Sequence, residues 1–285
     1  MKPVGFVGLG QIGAPMARRL LDWPGGLVVY DVRPEALLPF LEAGARAAAC
    51  PREVAESAEV ISLMVRDDAQ VEEVLSGPDG LLAAAAPGTV VAIHSTIAAA
   101  TATRLAKTHG PRGIEIVDAP VSGGAPGAGK GTLAVMVGAT DAAFERCREV
   151  FALWAGHIMH AGLPGAGTQA KLARNLLHFV SFAAAAEAQR LAEAAGLDLV
   201  ELGKVVRHSD AITGGPGAIM LRRTTAPVAA DDPWHPILTH VHDLGHKDLT
   251  LAIALAEELD VDTPLARMAL ERLATSLGLD GRHGP

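Results

Sequence analysis

Cysteine, aromatic side chains and basic runs are all scarce in this chain of 285 residues. Its two cysteines, Cys50 and Cys147, make neither a disulfide framework nor a metal cluster, and they suit a reducing compartment. We therefore expect a cytoplasmic protein. The 24 Lys and Arg residues against 32 Asp and Glu give a net charge of −8, which lacks the basic footprint of a nucleic-acid binder.

Long hydrophobic runs are missing as well. No stretch approaches the ~18 uninterrupted apolar residues of a membrane span, and the N-terminus has no signal-peptide architecture. Because 49% of the residues are hydrophobic, the composition is instead that of a globular protein with a real core, and the length favours two domains.

Short β-branched runs alternate with helical stretches from residue 1 to about residue 160. The predicted strands are Val4–Val7, Leu27–Tyr30, Val60–Met64, Val90–His94, Glu115–Asp118 and Leu133–Val137. The predicted helices are Gln11–Leu21, Pro34–Ala43, Pro51–Ala55, Ala69–Leu75 and Ala98–Lys107. This alternation predicts an α/β domain, residues 1–162, built on a doubly wound parallel sheet.

The second half predicts helices alone. Thr168–Ala195 runs for 28 residues without Gly or Pro, which predicts a helix of about 40 Å that joins two domains. Further helices are predicted at Asp198–His208, Leu238–Leu259 and Pro264–Leu277, and disorder is predicted at Gly281–Pro285. Residues 163–285 are therefore expected to form an all-α C-terminal domain.

A glycine-rich segment lies between the first predicted strand and the first predicted helix. Gly8, Gly10 and Gly13 match the pattern GxGxxG, in which glycines allow a tight turn, approach to a pyrophosphate and close packing of helix on strand. Asp31 ends the second predicted strand, where a carboxylate would accept hydrogen bonds from an adenosine ribose. The prediction is an NAD site, and Arg33 leaves NADP open because it could pair with a 2′-phosphate.

Two other patterns are weaker. Gly124–Lys130 nearly matches a phosphate-binding loop of nucleoside triphosphatases, but Gly131 stands where a magnesium-binding hydroxyl is required. His242 and His246 have the spacing of metal ligands on one helix face, near His235 and His240. Neither Cys nor an HExxH pattern lies nearby, so we expect no metal site.

Four motifs in order carry a resemblance over nearly the whole chain. They are GLGQIGAPMARRL (residues 8 to 20), DAPVSGG (118 to 124), GLPGAGTQAKLARN (162 to 175) and HKDL (246 to 249). Together they resemble the β-hydroxyacid dehydrogenases, a family that includes 3-hydroxyisobutyrate dehydrogenase, tartronate semialdehyde reductase and, more distantly, 6-phosphogluconate dehydrogenase. The resemblance implies a Rossmann-like domain, a helical second domain and NAD(P)-dependent hydride transfer between nicotinamide and a small 3-hydroxy acid or its semialdehyde.

The resemblance also implies roles for individual residues. Lys171 matches the family's general acid/base, and Asn175 matches a residue that helps hold substrate and lysine. Ser122, Gly123 and Gly124 match the segment that binds the substrate carboxylate. The chemistry of the reaction also supports a general acid/base role for Lys171. Oxidation of an alcohol needs a group that takes the hydroxyl proton, and a desolvated lysine has a lowered pKa.

The implied cofactor contacts extend beyond the glycine loop. They comprise Gly8, Gly10, Gln11, Ile12, Gly13, Asp31, Val65, Thr96 and Lys247. Lys247 matches a residue that approaches the cofactor from the helical domain, while Thr96 and Val65 match contacts to the nicotinamide ribose and near the adenosine.

Departures from the family pattern keep some questions open. Arg174 stands where family members commonly carry Asn, so it either binds an extra acidic group of the substrate or points to solvent, and the identity of the acid stays open. Two other functions compete with this one: a non-catalytic dinucleotide-binding scaffold or sensor, and an imine reductase. The presence of Lys171 disfavours both. The alanine-rich face of the long helix, including Ala183–Ala186, predicts a homodimer or homotetramer, as in the family.

Overall fold

A computed structural model describes residues 2–220 and 222–279. The chain divides into two compact units, Met1–Arg174 and Asn175–Pro285. The expected domain boundary after residue 162 stays a prediction, and the predicted disorder at Gly281–Pro285 lies outside the described residues.

The first unit is built on one sheet, and the described residues contribute nine strands to it. The strands are β1 (Val4–Val7), β2 (Leu27–Tyr30), β3 (Arg46–Ala47), β4 (Val60–Leu63), β5 (Val90–Ile93), β6 (Glu115–Asp118), β7 (Val121–Ser122), β8 (Leu133–Gly138) and β9 (Ala155–Gly162). Their order is β3-β2-β1-β4-β5-β6-β8-β7, and β9 pairs with β8. Strands β1 to β6 pair in parallel, whereas β8 runs antiparallel to β6 and β7.

Helices cover both faces of this sheet. They are α1 (Gly13–Arg18), α2 (Pro34–Glu42), α3 (Pro51–Ser57), α4 (Asp68–Ser76), α5 (Ala99–His109), α6 (Gly124–Lys130), α7 (Asp141–Phe151) and the start of α8 (Ala166–Ala194). Neighbouring residues of β2 belong to different buried clusters: Val29 is in the cluster that contains Phe6 and Trp154, while Val28 is in the cluster that contains Ile61. A strand buried on both faces is the signature of the doubly wound architecture, so the predicted fold class is confirmed.

The regular secondary structure of the second unit, in its described residues, consists of helices. The remainder of α8 is followed by α9 (Leu199–Thr213), α10 (Trp234–Glu258) and α11 (Pro264–Ser276). The buried Glu187 of α8 accepts the backbone N–H of Leu265 at 2.8 Å and of Ala266 at 3.1 Å, which caps the first turn of α11. No helix in the described residues is long and apolar enough to cross a membrane.

Three of the elements that the sequence did not predict are very short or have an atypical composition. Strands β3 and β7 have two residues each, too few to show an alternating pattern. Helix α6 is the near-match to a phosphate-binding loop, and its three glycines and one proline disfavour a helix. Strand β9 and the 11-residue helix α7 are longer, and the predicted elements do not include them either.

Candidate active site and cofactor pocket

The glycine loop between β1 and α1 is folded so tightly that side chains cannot fit at two of its glycines. A Cβ on Gly8, which has a φ of +93°, would lie 2.1 Å from the carbonyl oxygen of Met64. A Cβ on Gly13 would lie 2.0 Å from the carbonyl oxygen of Gly8. Gly10 differs, because it is exposed and a Cβ there would meet nothing within 4 Å. The loop therefore presents bare backbone to solvent at Gly10.

Asp31 joins this loop to the end of β2. One oxygen of its buried carboxylate accepts the N–H of Leu9 at 2.7 Å, and the other accepts the backbone N–H of Arg33 at 2.9 Å and its Nε at 3.0 Å. Burial alone would raise the pKa of Asp31, but the hydrogen bonds from Arg33 and Leu9 lower it below the usual value. Asp31 is therefore ionised at neutral pH, and Arg33 is paired with it.

The loop and Asp31 line one cavity of about 860 Å³. Its walls comprise Val7, Gly8, Gly10, Gln11, Ile12, Gly13, Tyr30, Asp31, Val32, Arg33, Met64, Val65, Arg66, Gln70, Glu73 and Val74. The cavity lies at the carboxyl ends of β1, β2 and β4, where the strand order reverses, which is the usual ligand site of doubly wound sheets. Bare backbone at Gly10, an ionised carboxylate and this volume fit the adenosine end of a dinucleotide.

Seven predicted cofactor residues thus meet in one cavity, and sequence reasoning missed others. Arg66, Gln70 and Glu73 belong to its wall, although no motif marks them. Val65 is held in place because its N–H donates to Ser95 Oγ at 3.0 Å and its carbonyl accepts from the same hydroxyl at 2.6 Å. Thr96, the neighbour of Ser95, is exposed after β5 and does not line this cavity.

A buried histidine holds together the strand ends next to this region. His94 Nε2 lies 3.0 Å from Ser62 Oγ of β4, and its Nδ1 lies 2.8 Å from the carbonyl oxygen of Ala119, just after β6. Burial lowers the pKa of His94 to about 4, so the ring is neutral at pH 7. It therefore connects β4 to β6 through β5 without placing a charge in the core.

Lys171 lies in the first turns of α8 and is buried, with 8% of its surface exposed. Its Nζ donates to the carbonyl oxygen of Val121 at a distance of 2.6 Å. Burial lowers the pKa of Lys171, and the positive charge of Arg174, three residues further on, lowers it again. An amine in this state populates its neutral, proton-accepting form more readily than a surface lysine does.

The segment after Val121 supplies hydrogen-bond donors beside this lysine. Ser122 ends β7, and both Gly123 and Gly124 have a left-handed backbone, with φ values of +128° and +62°. A Cβ on Gly123 would also lie only 2.9 Å from Leu133. The structure therefore brings Lys171 and the DAPVSGG motif together, although 50 positions separate Lys171 from Val121.

The remaining predicted site residues lie in the second unit. Asn175 is the first residue of that unit and is half-buried in α8. Lys247 lies on α10, where its exposed ammonium is 3.1 Å from Asp248 Oδ1. Its contact with the cofactor stays a prediction. Across residues 2–220 and 222–279, no three or more His, Cys, Asp or Glu side chains are arranged to hold a metal ion.

A cavity that fits a dinucleotide, at the strand-order reversal of a doubly wound sheet, defines a dinucleotide-binding protein. Residues 3–162 match the family described as the NAD binding domain of 6-phosphogluconate dehydrogenase. Residues 165–283 match the family described as NAD-binding of NADP-dependent 3-hydroxyisobutyrate dehydrogenase. The chain belongs to the β-hydroxyacid dehydrogenase family, as the motifs predicted.

Individual relatives agree with this assignment. An uncharacterised oxidoreductase of Mycobacterium tuberculosis is 64% identical over 97% of this chain and 93% of its own length. The 3-hydroxyisobutyrate dehydrogenase of Pseudomonas aeruginosa is 35% identical over 99% of this chain and 95% of its own length. The crystal structure of an oxidoreductase from Mycobacterium avium superposes with a TM-score of 0.94 at 53% identity, covering 98% of this chain and 99% of that one. The protein is thus an NAD(P)-binding dehydrogenase.

Proposed function

We propose that this dehydrogenase interconverts a small 3-hydroxy acid, similar to 3-hydroxyisobutyrate, and its semialdehyde, with Lys171 as the general acid/base. The observation that carries the proposal is the buried amine of Lys171, held 2.6 Å from the carbonyl of Val121 directly before Ser122, Gly123 and Gly124. A proton acceptor and a carboxylate-binding segment in one place are what oxidation of a short hydroxy acid requires. The resemblance to the 3-hydroxyisobutyrate dehydrogenase of Pseudomonas aeruginosa supports the substrate class.

The residues divide the chemistry between them. A bound nicotinamide supplies the acceptor for the hydride that leaves the carbinol carbon during oxidation. Lys171 takes the hydroxyl proton on its neutral Nζ, and in the reverse direction it returns that proton to the carbonyl oxygen. The hydroxyl of Ser122 and the backbone N–H groups of Gly123 and Gly124 bind the carboxylate, and we assign Asn175 to holding the substrate. A buried lysine at this position argues against a non-catalytic scaffold.

The preferred cofactor in this proposal is NAD. The ionised carboxylate of Asp31 would accept the hydroxyl groups of the adenosine ribose of NAD, and the same charge would repel a 2′-phosphate. Arg33, the residue that could favour NADP, donates to Asp31 through Nε at 3.0 Å. This pairing reduces the charge that Arg33 offers to a phosphate.

A rate measurement tests the function directly. Initial rates of NADH or NADPH formation are measured with 3-hydroxyisobutyrate, 3-hydroxypropionate, glycerate, 4-hydroxybutyrate, serine and threonate, each with NAD⁺ and with NADP⁺. We expect turnover of at least one 3-hydroxy acid, with a higher kcat/KM for NAD⁺. A protein that binds the dinucleotide but turns over none of these acids would contradict the proposal.

We also propose that the chain works as a homodimer or homotetramer in the cytoplasm. The second unit has a small buried cluster of Val228, Leu238, Leu277 and Leu279. Its helices expose many large apolar side chains, among them Leu176, Phe179, Val180, Phe182, Val200, Val205 and Ile212. Apolar surface of this extent favours association with further copies, and the two free thiols suit a reducing compartment.

Light scattering tests the association. At micromolar concentration we expect a mass of two or four times the 29.3 kDa of one chain. The double variant Phe179→Ser with Phe182→Ser is expected to lower that mass. It removes two exposed rings and alters no buried residue. A wild-type mass of 29.3 kDa would refute the proposal.

A further inference from the structure

Asp118 is the most deeply buried carboxylate near the candidate active site, and no motif role was assigned to it. It is the last residue of β6 and has none of its surface exposed. Its Oδ1 accepts the backbone N–H of Gly165 and its Oδ2 accepts that of Thr168, each at 2.6 Å. Each oxygen of one buried carboxylate thus accepts an N–H from the start of α8.

The buried charge of Asp118 would cost free energy if it lost its hydrogen bonds from Gly165 and Thr168. Burial raises the pKa of Asp118, and the N–H bonds from Gly165 and Thr168 oppose that rise. A carboxylate at the N-terminus of the 29-residue helix α8 also lies at the positive end of the helix dipole. Moving α8 away from β6 would leave a buried charge without its donors, so the contact resists displacement.

The backbone of the first turn of α8 packs closely against the sheet. A Cβ on Gly138 of β8 would lie 2.2 Å from Asp118 Oδ1. A Cβ on Gly167 of α8 would lie 2.4 Å from the carbonyl oxygen of Met136 and 2.5 Å from that of Asp118. The first turn of α8 is therefore in direct contact with the backbone of both β6 and β8.

Lys171 lies on α8, less than one turn after this anchored segment. It follows Thr168 by three residues, and its Nζ reaches the carbonyl of Val121, which follows Asp118 by three residues in the other segment. Two contacts therefore join the same two segments: Asp118 holds the helix backbone, and Val121 receives the amine. If the contact between Asp118 and α8 shifts, the distance between the Lys171 amine and the carbonyl of Val121 changes as well.

We propose that Asp118 is the positioning residue of Lys171, because its carboxylate fixes the first turn of α8 and so sets where the lysine amine lies beside Val121. This inference rests on the proposed function of Lys171 as the proton acceptor. Asp118 itself touches neither substrate nor cofactor in this proposal.

The test compares Asp118 with a matched cap that lies in the second unit. Asp118→Asn keeps the size of the side chain but places an NH₂ group against one of the two N–H donors. Glu187→Gln makes the same exchange at the cap of α11, where Glu187 also accepts two backbone N–H groups. Both variants are expected to lower Tm, so loss of stability alone does not distinguish the two roles.

Two readouts separate positioning from stability. For Asp118→Asn we expect kcat to fall by about tenfold to 100-fold, the scale of a misplaced reacting group, with an unchanged Kd for NADH and a shifted acid limb of the kcat pH profile. Glu187→Gln keeps the kcat and the pH profile of the wild type. Equal kcat losses in the two variants, or an unchanged kcat in Asp118→Asn, would overturn the inference.

A second measurement needs no substrate and therefore stands apart from the proposed function. Trace acetic anhydride acetylates neutral amines, and mass spectrometry of the peptides gives the pH dependence for Lys171 relative to the exposed Lys107. We expect the Lys171 profile to shift in Asp118→Asn and to stay unchanged in Glu187→Gln. An unshifted profile in Asp118→Asn refutes positioning even if no substrate has been found.

A further variant covers the case in which Asp118→Asn does not fold. Gly138→Ala keeps the carboxylate but places a methyl group against Asp118 Oδ1. We expect the same direction of change in kcat and in the labelling of Lys171. A folded Gly138→Ala protein with wild-type values for both would contradict the proposal.

Discussion

Replacing Lys171 by alanine is expected to lower kcat for hydroxy-acid oxidation by about 100-fold to 10,000-fold, the range that a general base contributes. The Kd for NADH, measured by fluorescence, is expected to stay unchanged, because Lys171 does not line the cofactor cavity. Lys107→Ala is the matched control, since this exposed lysine lies in the same unit, on α5. A kcat for Lys171→Ala within about twofold of the wild type would contradict the assignment.

The pH dependence provides a second check on the same residue. Burial and Arg174 lower the pKa of Lys171, so its neutral form is present at lower pH than in an ordinary lysine. Oxidation by the wild type is therefore expected to accelerate as pH rises through this lowered pKa, and the limb should vanish in Lys171→Ala. Added methylamine, which supplies an amine to the vacated position, is expected to restore part of the rate.

Replacing Gly10 by alanine is expected to weaken dinucleotide binding on the order of 100-fold, or about 2.7 kcal/mol. A Cβ at Gly10 meets no protein atom within 4 Å, so the variant folds without strain. The new methyl group instead fills the space where the backbone is expected to approach the pyrophosphate. Isothermal titration with NADH measures the loss, and Tm without ligand should not change.

Gly110→Ala is the control for that experiment. Gly110 also has open space at its Cβ position and lies outside the cofactor cavity, so its replacement should change neither binding nor Tm. If Gly10→Ala binds NADH as tightly as Gly110→Ala does, the dinucleotide does not pass over this loop. Such a result would remove the basis for the cofactor site.

The sequence predicted the parts of the site whose residues lie close together along the chain. Gly8, Gly10 and Gly13 lie within six positions, between a strand and a helix, so their spacing alone predicts the turn that the structure contains. Asp31 is predictable for the same reason, because it directly follows an apolar strand. Lys171 is different, since a lone lysine is usually exposed; it was found through the resemblance.

The parts that the sequence did not predict depend on partners far along the chain. Asp118 is 47 positions from Gly165 and 50 from Thr168, so neither donor can be inferred from its neighbours. His94 likewise depends on Ser62, 32 positions away. Helix α6 formed despite its glycines, which shows that tertiary packing overrides the weak helix propensity of GAPGAGK.

The separate cores of the first unit have a consequence for biosynthesis. Both large clusters consist of residues before position 174, and Lys171 contacts Val121 within that unit. At about 5 to 20 residues per second, the ribosome takes roughly 6 to 22 s to add the 111 residues 175–285 of the second unit. The nascent chain can therefore complete its sheet and bring Lys171 against Val121 while the apolar helices are still being made. Those helices follow the sheet in the chain, so their exposed apolar side chains leave the ribosome after the first unit has been made.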